Sequence, residues 1–198
     1  MSKITAQEVL DFWFLPASAE GHGKARQAWF RKDALFDAAI GARFGAAMAE
    51  ALAGGLREWD SEDTQGAHGT LARIVLLDQF TRNAFRDTSA AFAGDALALA
   101  AALDLEARGA ARALPALQRW FAYLPFEHAE DMHMQEKSVA LFAELAAGDA
   151  QFADVLDYAQ RHRDVIARFG RFPHRNAILG RASSAEELAF LRQPGSRF

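Results

Sequence analysis

Apolar residues in this chain recur at three- and four-residue steps, and nowhere do they alternate with period two over a useful length. Steps of that size gather side chains on one face of an α-helix, so the pattern predicts helices throughout and no sheet. Thr5-Ala6-Gln7-Glu8 is a capping box that starts the first helix; Val9, Leu10, Trp13 and Phe14 follow on one side, and Pro16 stops it. Gly21-His22-Gly23 reads as a flexible link. From Asp33 onward, Phe36, Ile40, Phe44, Met48 and Leu52 recur at four-residue steps until Gly54-Gly55. Leu71 to Phe80 forms a strongly apolar helix that ends in Asp78-Gln79-Phe80. Thr88 or Ser89 is placed to cap an Ala-rich helix running to about Arg108. Pro115 opens a helix carrying Leu117, Trp120, Phe121 and Leu124. Two further helices run from Ala129 to Ala147 and from the cap at Asp149 to Phe169, closed by Gly148 and Gly170. A second capping box, Ser184-Ala185-Glu186-Glu187, starts a short last helix. The sum is an all-α single domain over residues 1–198, of about nine helices in antiparallel helical hairpins.

Within this pattern Trp13, Trp29, Phe30, Trp59, Trp120, Phe121 and Tyr123 sit at helical spacings and are expected in the core. His22 and His68 lie between glycines and are expected in solvated loops, and His133 on an exposed helix face.

Composition narrows the function classes more than it names one. The chain has no cysteine, which excludes disulfide staples, thiolate metal sites and cysteine nucleophiles. Glu8 and Asp11 interrupt what would be the apolar stretch of a signal peptide, and no run approaches the ~20 apolar residues of a membrane span. The expectation is a cytoplasmic protein with no membrane partner. The net charge of −4 speaks against a nucleic-acid partner. The basic groups are uneven, however: residues 160–198 carry eight arginines against three acids.

Three polar clusters could carry chemistry. The first is Asp78-Gln79-Phe80-Thr81-Arg82-Asn83-Ala84-Phe85-Arg86, at a helix end. The second is Tyr123-Leu124-Pro125-Phe126-Glu127-His128-Ala129-Glu130-Asp131, where a proline-broken chain enters a helix. The third runs from His162 to Arg181 and packs Arg168, Arg171, Arg175, Arg181, His162 and His174 around a Gly-aromatic-Pro turn. Through these clusters, with Gln135 and Leu179-Gly180-Arg181-Ala182-Ser183 downstream, the chain resembles a family of bacterial proteins of unknown function. The resemblance extends from Asp11-Phe12-Trp13-Phe14 to Phe190-Leu191, and implies an all-helical, tetratricopeptide-like arrangement without an established activity. Thr81 stands where that pattern usually has proline, at what reads as a turn.

The residues themselves admit several readings. Glu127, Glu130 and Asp131 near a helix start oppose the positive end of its dipole. In a helix from Ala129, His128, Asp131 and Gln135 would share one face. One reading makes these acids caps and partners of Arg168, Arg171 or Arg175 in a structural network. Another makes the region a pocket for a small anion, with His128 or His174 as acid or base. Its ligand-binding groups would be Arg82, Asn83, Arg86, Glu127, Asp131, His162, Arg168, Arg171, Arg175 and Asn176, because guanidinium grips carboxylate or phosphate through paired bonds. The turn at His174-Arg175-Asn176 would add backbone N–H groups. A metal site from His128, Asp131, His162 or His174 ranks last, since no tight ligand motif is present, and no cofactor is implied. The rival to the anion pocket is a helical scaffold for a peptide or protein partner. Nothing in the sequence gives the oligomeric state.

Overall fold

The computed structural model describes residues 3–61 and 66–196. Arg197, one of the eight C-terminal arginines, lies outside the described residues. The described residues form nine α-helices joined by 3-10 turns, with no strand. They group into two compact units. No helix among them is long and apolar enough to cross a membrane.

The first unit comprises residues 1–86 and 90–125. Its helices are α1 (Ala6–Phe14), α2 (Ala34–Leu52), α3 (Ala67–Ile74), α4 (Thr81–Ala84), α5 (Asp95–Ala107) and most of α6 (Ala116–Glu127). Thr5 and Glu8 make the expected reciprocal capping box on α1, and Asp33 caps α2 by accepting from the N–H groups of Leu35 and Phe36. The carbonyls that α1 leaves open at its C-terminal end are taken by side chains. Arg26 donates to the oxygens of Phe12 and Trp13, at 2.7 and 2.6 Å, and the Trp29 indole N–H also reaches Trp13 O. Trp13, Trp29 and Phe121 pack with ring centroids 4.6–5.8 Å apart, and Phe80 and Phe44 extend the cluster. Rings at these spacings bury large areas; Phe121 and Phe80 meet Trp13 edge-on, while Trp13 and Trp29 stack. Phe30 departs from expectation: it is 64% exposed, held flat against Trp120 at 5.5 Å.

Three boundaries differ from the sequence reading. The apolar run of α3 does not stop at Phe80: it continues through a wide π-turn, Val75–Phe80, into α4. Thr81 is therefore inside a continuous helical path and not at a turn; its hydroxyl donates to Leu77 O at 2.7 Å. The Ala-rich helix begins at Asp95, not at Thr88 or Ser89, because Ser89–Phe92 forms a separate 3-10 turn. His68 lies on α3 and is half-buried, since Gly66 precedes that helix and Gly69 sits inside it.

Gly69 is there for a close approach. A Cβ at this position would lie 1.9 Å from Trp59 O, a backbone atom with little room to move. Alanine normally favours a helix over glycine by about 0.5–1 kcal/mol. Here Gly69→Ala should instead destabilise by about 1–3 kcal/mol, the usual scale of overpacking. Equilibrium urea unfolding checks this, and a stabilised variant would contradict the packing described.

The second unit comprises residues 87–89 and 126–198. It holds the end of α6, then α7 (Met132–Gly148), α8 (Ala153–Phe169) and α9 (Ala185–Phe190). Asp149 caps the 3-10 turn Ala150–Phe152 that links α7 to α8, and not α8 itself, whose N-cap Phe152 has no side-chain cap; the two helices pack together as a hairpin. Gly170 closes α8 at φ 68°, a left-handed conformation that glycine adopts without strain. Phe172 is extended ahead of Pro173, and its ring packs with Val165 and Ile166 under Met132, Phe169 and Phe190. Ser184 and Glu187 complete the second capping box.

Candidate functional site

The candidate site lies in the second unit, where the chain leaves α6 and enters α7. Pro125 does not end α6, which runs on to Glu127. Residues 128–131 then form a non-helical link, and Asp131 caps α7 by accepting from Met134 N–H at 2.9 Å. This overturns the shared face expected for His128, Asp131 and Gln135, because a face argument needs an unbroken helix. His128 precedes the helix, Asp131 is exposed, and Gln135 is fully buried. The Gln135 amide donates to the carbonyls of Glu127 at 2.6 Å and Ala129 at 2.8 Å, with Phe126 O at 3.4 Å. It ties down oxygens that the helix end leaves open.

Around that corner the structure gathers three imidazoles, a guanidinium and a carboxylate. The rings of His128 and His162 have centroids 6.4 Å apart; His162 packs edge-on against Phe172 at 5.4 Å, and His174 lies 5.7 Å from the other reach of the same ring. The Arg175 guanidinium covers the Phe172 face at 4.6 Å. Glu127, His162 and Arg175 are buried, and His128 and His174 half-buried. His162 Nδ1 sits 2.8 Å from Tyr158 O and 3.2 Å from Glu127 Oε1. A carbonyl only accepts, so Nδ1 carries the proton and Nε2 is the acceptor of the neutral ring. Burial pushes His162 down to about 3, and the neighbouring His128, His174 and Arg175 add to the depression. The contact with Glu127 is therefore a hydrogen bond to a neutral ring and not an ion pair.

The other arginines of the third cluster have carboxylate partners. Arg168 pairs with Glu186 at the surface. Arg171 makes a two-pronged contact with Glu187, at 2.7 and 2.9 Å, and donates to Ala182 O. That grip is the first cause holding Glu187 at about 2, well below its ordinary value. Arg181 binds Glu130 through both terminal nitrogens, at 2.5 and 2.9 Å. Glu130 also accepts the Phe172 N–H at 2.8 Å, and Arg181 donates to Phe172 O and Asn176 Oδ1. Asn176, fully buried, passes the chain on to Ser183 Oγ. Burial alone would raise Glu130; the bonds from Arg181 and Phe172 outweigh it and hold the carboxyl below its usual range. Glu130 and Arg181 thus fix the Phe172-Pro173-His174 turn; of the three acids expected to pair with Arg168, Arg171 or Arg175, Glu130 pairs instead with Arg181. The backbone N–H groups of Arg175 and Asn176 are bonded to Phe172 O and Pro173 O, so the turn does not offer them to a ligand.

The first cluster stays in the first unit. Arg82 bonds Asp95 at 2.8 and 3.2 Å and lies 3.0 Å from the fully buried Asp78, while Asn83 and Arg86 both bind Asp37. No group of three or more His, Asp or Glu among the described residues is arranged to hold a metal ion.

The chain belongs to a family of bacterial proteins of unknown function (DUF924), which it matches over residues 9–195. It is similar to the solved structure of a protein of unknown function from Agrobacterium tumefaciens, ATU0120, at 38% sequence identity and a TM-score of 0.80. The similarity covers 94% of this chain and 96% of that one. No curated protein matches the chain.

Proposed function

We propose that the second unit binds a small anionic ligand, a carboxylate or a phosphate, at the cluster of His128, His162, His174 and Arg175. What supports this reading is the gathering of three imidazoles and the Arg175 guanidinium around Phe172; burial first, and then His128, His174 and Arg175, hold His162 down to about 3. A positive potential at a partly buried corner favours an anion and disfavours another proton. Glu127 belongs to the site as the group that orients the His162 ring. Asn176 serves it indirectly by holding Arg181. Arg168 and Arg171 are left out because Glu186 and Glu187 take them, and Arg82, Asn83 and Arg86 because Asp95 and Asp37 do.

Acid–base chemistry follows only with the ligand in place. A bound anion opposes the part of the His162 depression that comes from its charged neighbours and raises its pKa, which brings the ring closer to proton exchange at neutral pH. The competing reading is a scaffold whose motifs are structural; the full pairing of Arg168, Arg171 and Arg181 favours it.

The test is an NMR titration of the histidine ring protons with phosphate, sulfate and succinate, alongside thermal melting. The expected result is a rise in the His162 pKa and a higher melting temperature, about 2.7 kcal/mol of stabilisation at ~100 times the dissociation constant. Arg175→Gln and His174→Gln should abolish both responses. If no anion moves either readout, the scaffold reading stands.

A further inference from the structure

The first unit contains a cleft of about 410 Å³ that the reading above does not use. Its apolar wall is built from Leu10, Phe14 and Pro115, and its polar groups include Asp11, His22, His68 and Gln118. That volume falls in the range of small-molecule sites, which pair an apolar wall with a few convergent polar groups. We propose that this cleft binds a small organic ammonium, an amine with an aliphatic or aromatic body.

The polar groups argue for a donor-bearing ligand. Among the described residues that line the cleft there is no Lys or Arg, and Asp11 is the one carboxylate. Gln7 donates to Asp11 Oδ1 at 2.7 Å, so the amide N–H of Gln7 already has an acceptor. His22 Nδ1 lies 2.7 Å from Leu15 O, a group that only accepts. The proton is therefore on Nδ1, and Nε2 of the neutral ring is an acceptor. Gln118 lines the cleft as well, with its carboxamide oxygen turned away from the open space. Two acceptors, Asp11 and His22 Nε2, with no basic side chain among the described lining residues, match an ammonium head, while Phe14 and Leu10 match its body.

The backbone supplies an independent observation. Leu15, which lines the cleft, has φ 69° and ψ 146°, a left-handed conformation rare outside glycine. Such strain persists where the surroundings enforce it, and it concentrates at ligand-holding segments. The Leu15 carbonyl accepts from His22 Nδ1 at 2.7 Å.

The experiment titrates the full chain with n-butylammonium and phenethylammonium, following binding by ligand-observed NMR. Butyrate and phenylpropionate keep the body and reverse the charge; tetramethylammonium keeps the charge and removes the N–H donors. The expected result is binding of both primary ammoniums, with weak or no binding of the controls. Asp11→Asn, which keeps the side-chain shape, should weaken ammonium binding about tenfold or more, as for loss of a charge-assisted bond. Absence of ammonium binding overturns the proposal. So does equal binding of the carboxylates or tetramethylammonium, or binding that Asp11→Asn leaves unchanged. Failure here leaves the anion site of the second unit untouched, because the two tests use ligands of opposite charge and different residues.

Discussion

Lowering the pH from about 6.5 to about 3 should cost the protein stability on the order of 4–5 kcal/mol through His162 alone. The sign follows from proton counts. Above pH 6.5 the ring is neutral in both the folded and the unfolded chain, so it has no pH-linked effect. Between 6.5 and about 3 the unfolded chain takes up a proton that the folded chain refuses, and the equilibrium moves toward unfolding. Below about 3 both forms are charged and the loss levels off. The carboxylates act lower: Glu130 and Glu187 are depressed from 4.5, so their contribution is intact above that value and fades beneath it. The interval from 6.5 to 4.5 therefore isolates the histidines. Urea unfolding at closely spaced pH values should show stability falling through that interval. His162→Gln should start from lower stability at pH 7 but show a much shallower fall. An NMR titration supplies a check that does not depend on the variant: the His162 ring signals should stay at their neutral positions down to about pH 4. A ring that titrates near 6.5 would remove the basis for a positive potential at this corner.

The parts of the fold that could be read in the sequence are those governed by neighbours in the chain. The caps at Thr5 and Ser184 rest on a side chain reaching an N–H three residues away, and both form; Asp149 caps a 3-10 turn ahead of α8 and not the helix itself. Gly170 and Phe172-Pro173 likewise act through their own backbone angles. Elements governed by distant packing were misplaced. Pro125 reads as a helix breaker, yet α6 continues through it, with Phe121 and Phe126 on either side buried to 1% and 0% exposure. Tertiary burial of large rings outweighs the local penalty of a proline close to a helix end. The π-turn after Ile74 widens the helix by a residue without any composition signal.

The same division runs through the site. His128, His162, His174 and Arg175 were all legible as candidates, because imidazole and guanidinium density near a turn is visible in the chain itself. Which acid meets which arginine was not. That choice depends on where α7 begins: with its first residue at Met132 instead of Ala129, Asp131 becomes an exposed cap and Glu130 takes the inward position. Phe172 was also missed as the platform of the site, since an aromatic beside a proline reads as part of a turn and gives no sign of the rings that will collect around it.

Removing Glu130 should do more damage than removing Asp131, the neighbouring acid that caps α7. Its carboxylate joins Arg181 to the Phe172 N–H, and each side chain of the pair is only 25% exposed. Deleting one member of a fully buried pair costs about 3–5 kcal/mol, and partial exposure puts this pair toward the lower end. Glu130→Ala should therefore destabilise by about 3 kcal/mol. Asp131→Ala, the loss of an exposed cap, should cost about 1 kcal/mol. Glu130→Gln keeps an acceptor for Phe172 and should fall between them. The decisive comparison is the double variant Glu130→Gln with Arg181→Gln. If the pair is coupled as described, the double variant should be more stable than the sum of the two single losses, because neither charge is left alone. Additive losses, or a Glu130→Ala variant within about 0.5 kcal/mol of the parent, would mean that the turn bearing His174 and Arg175 is held by packing on Phe172 and not by this ion pair.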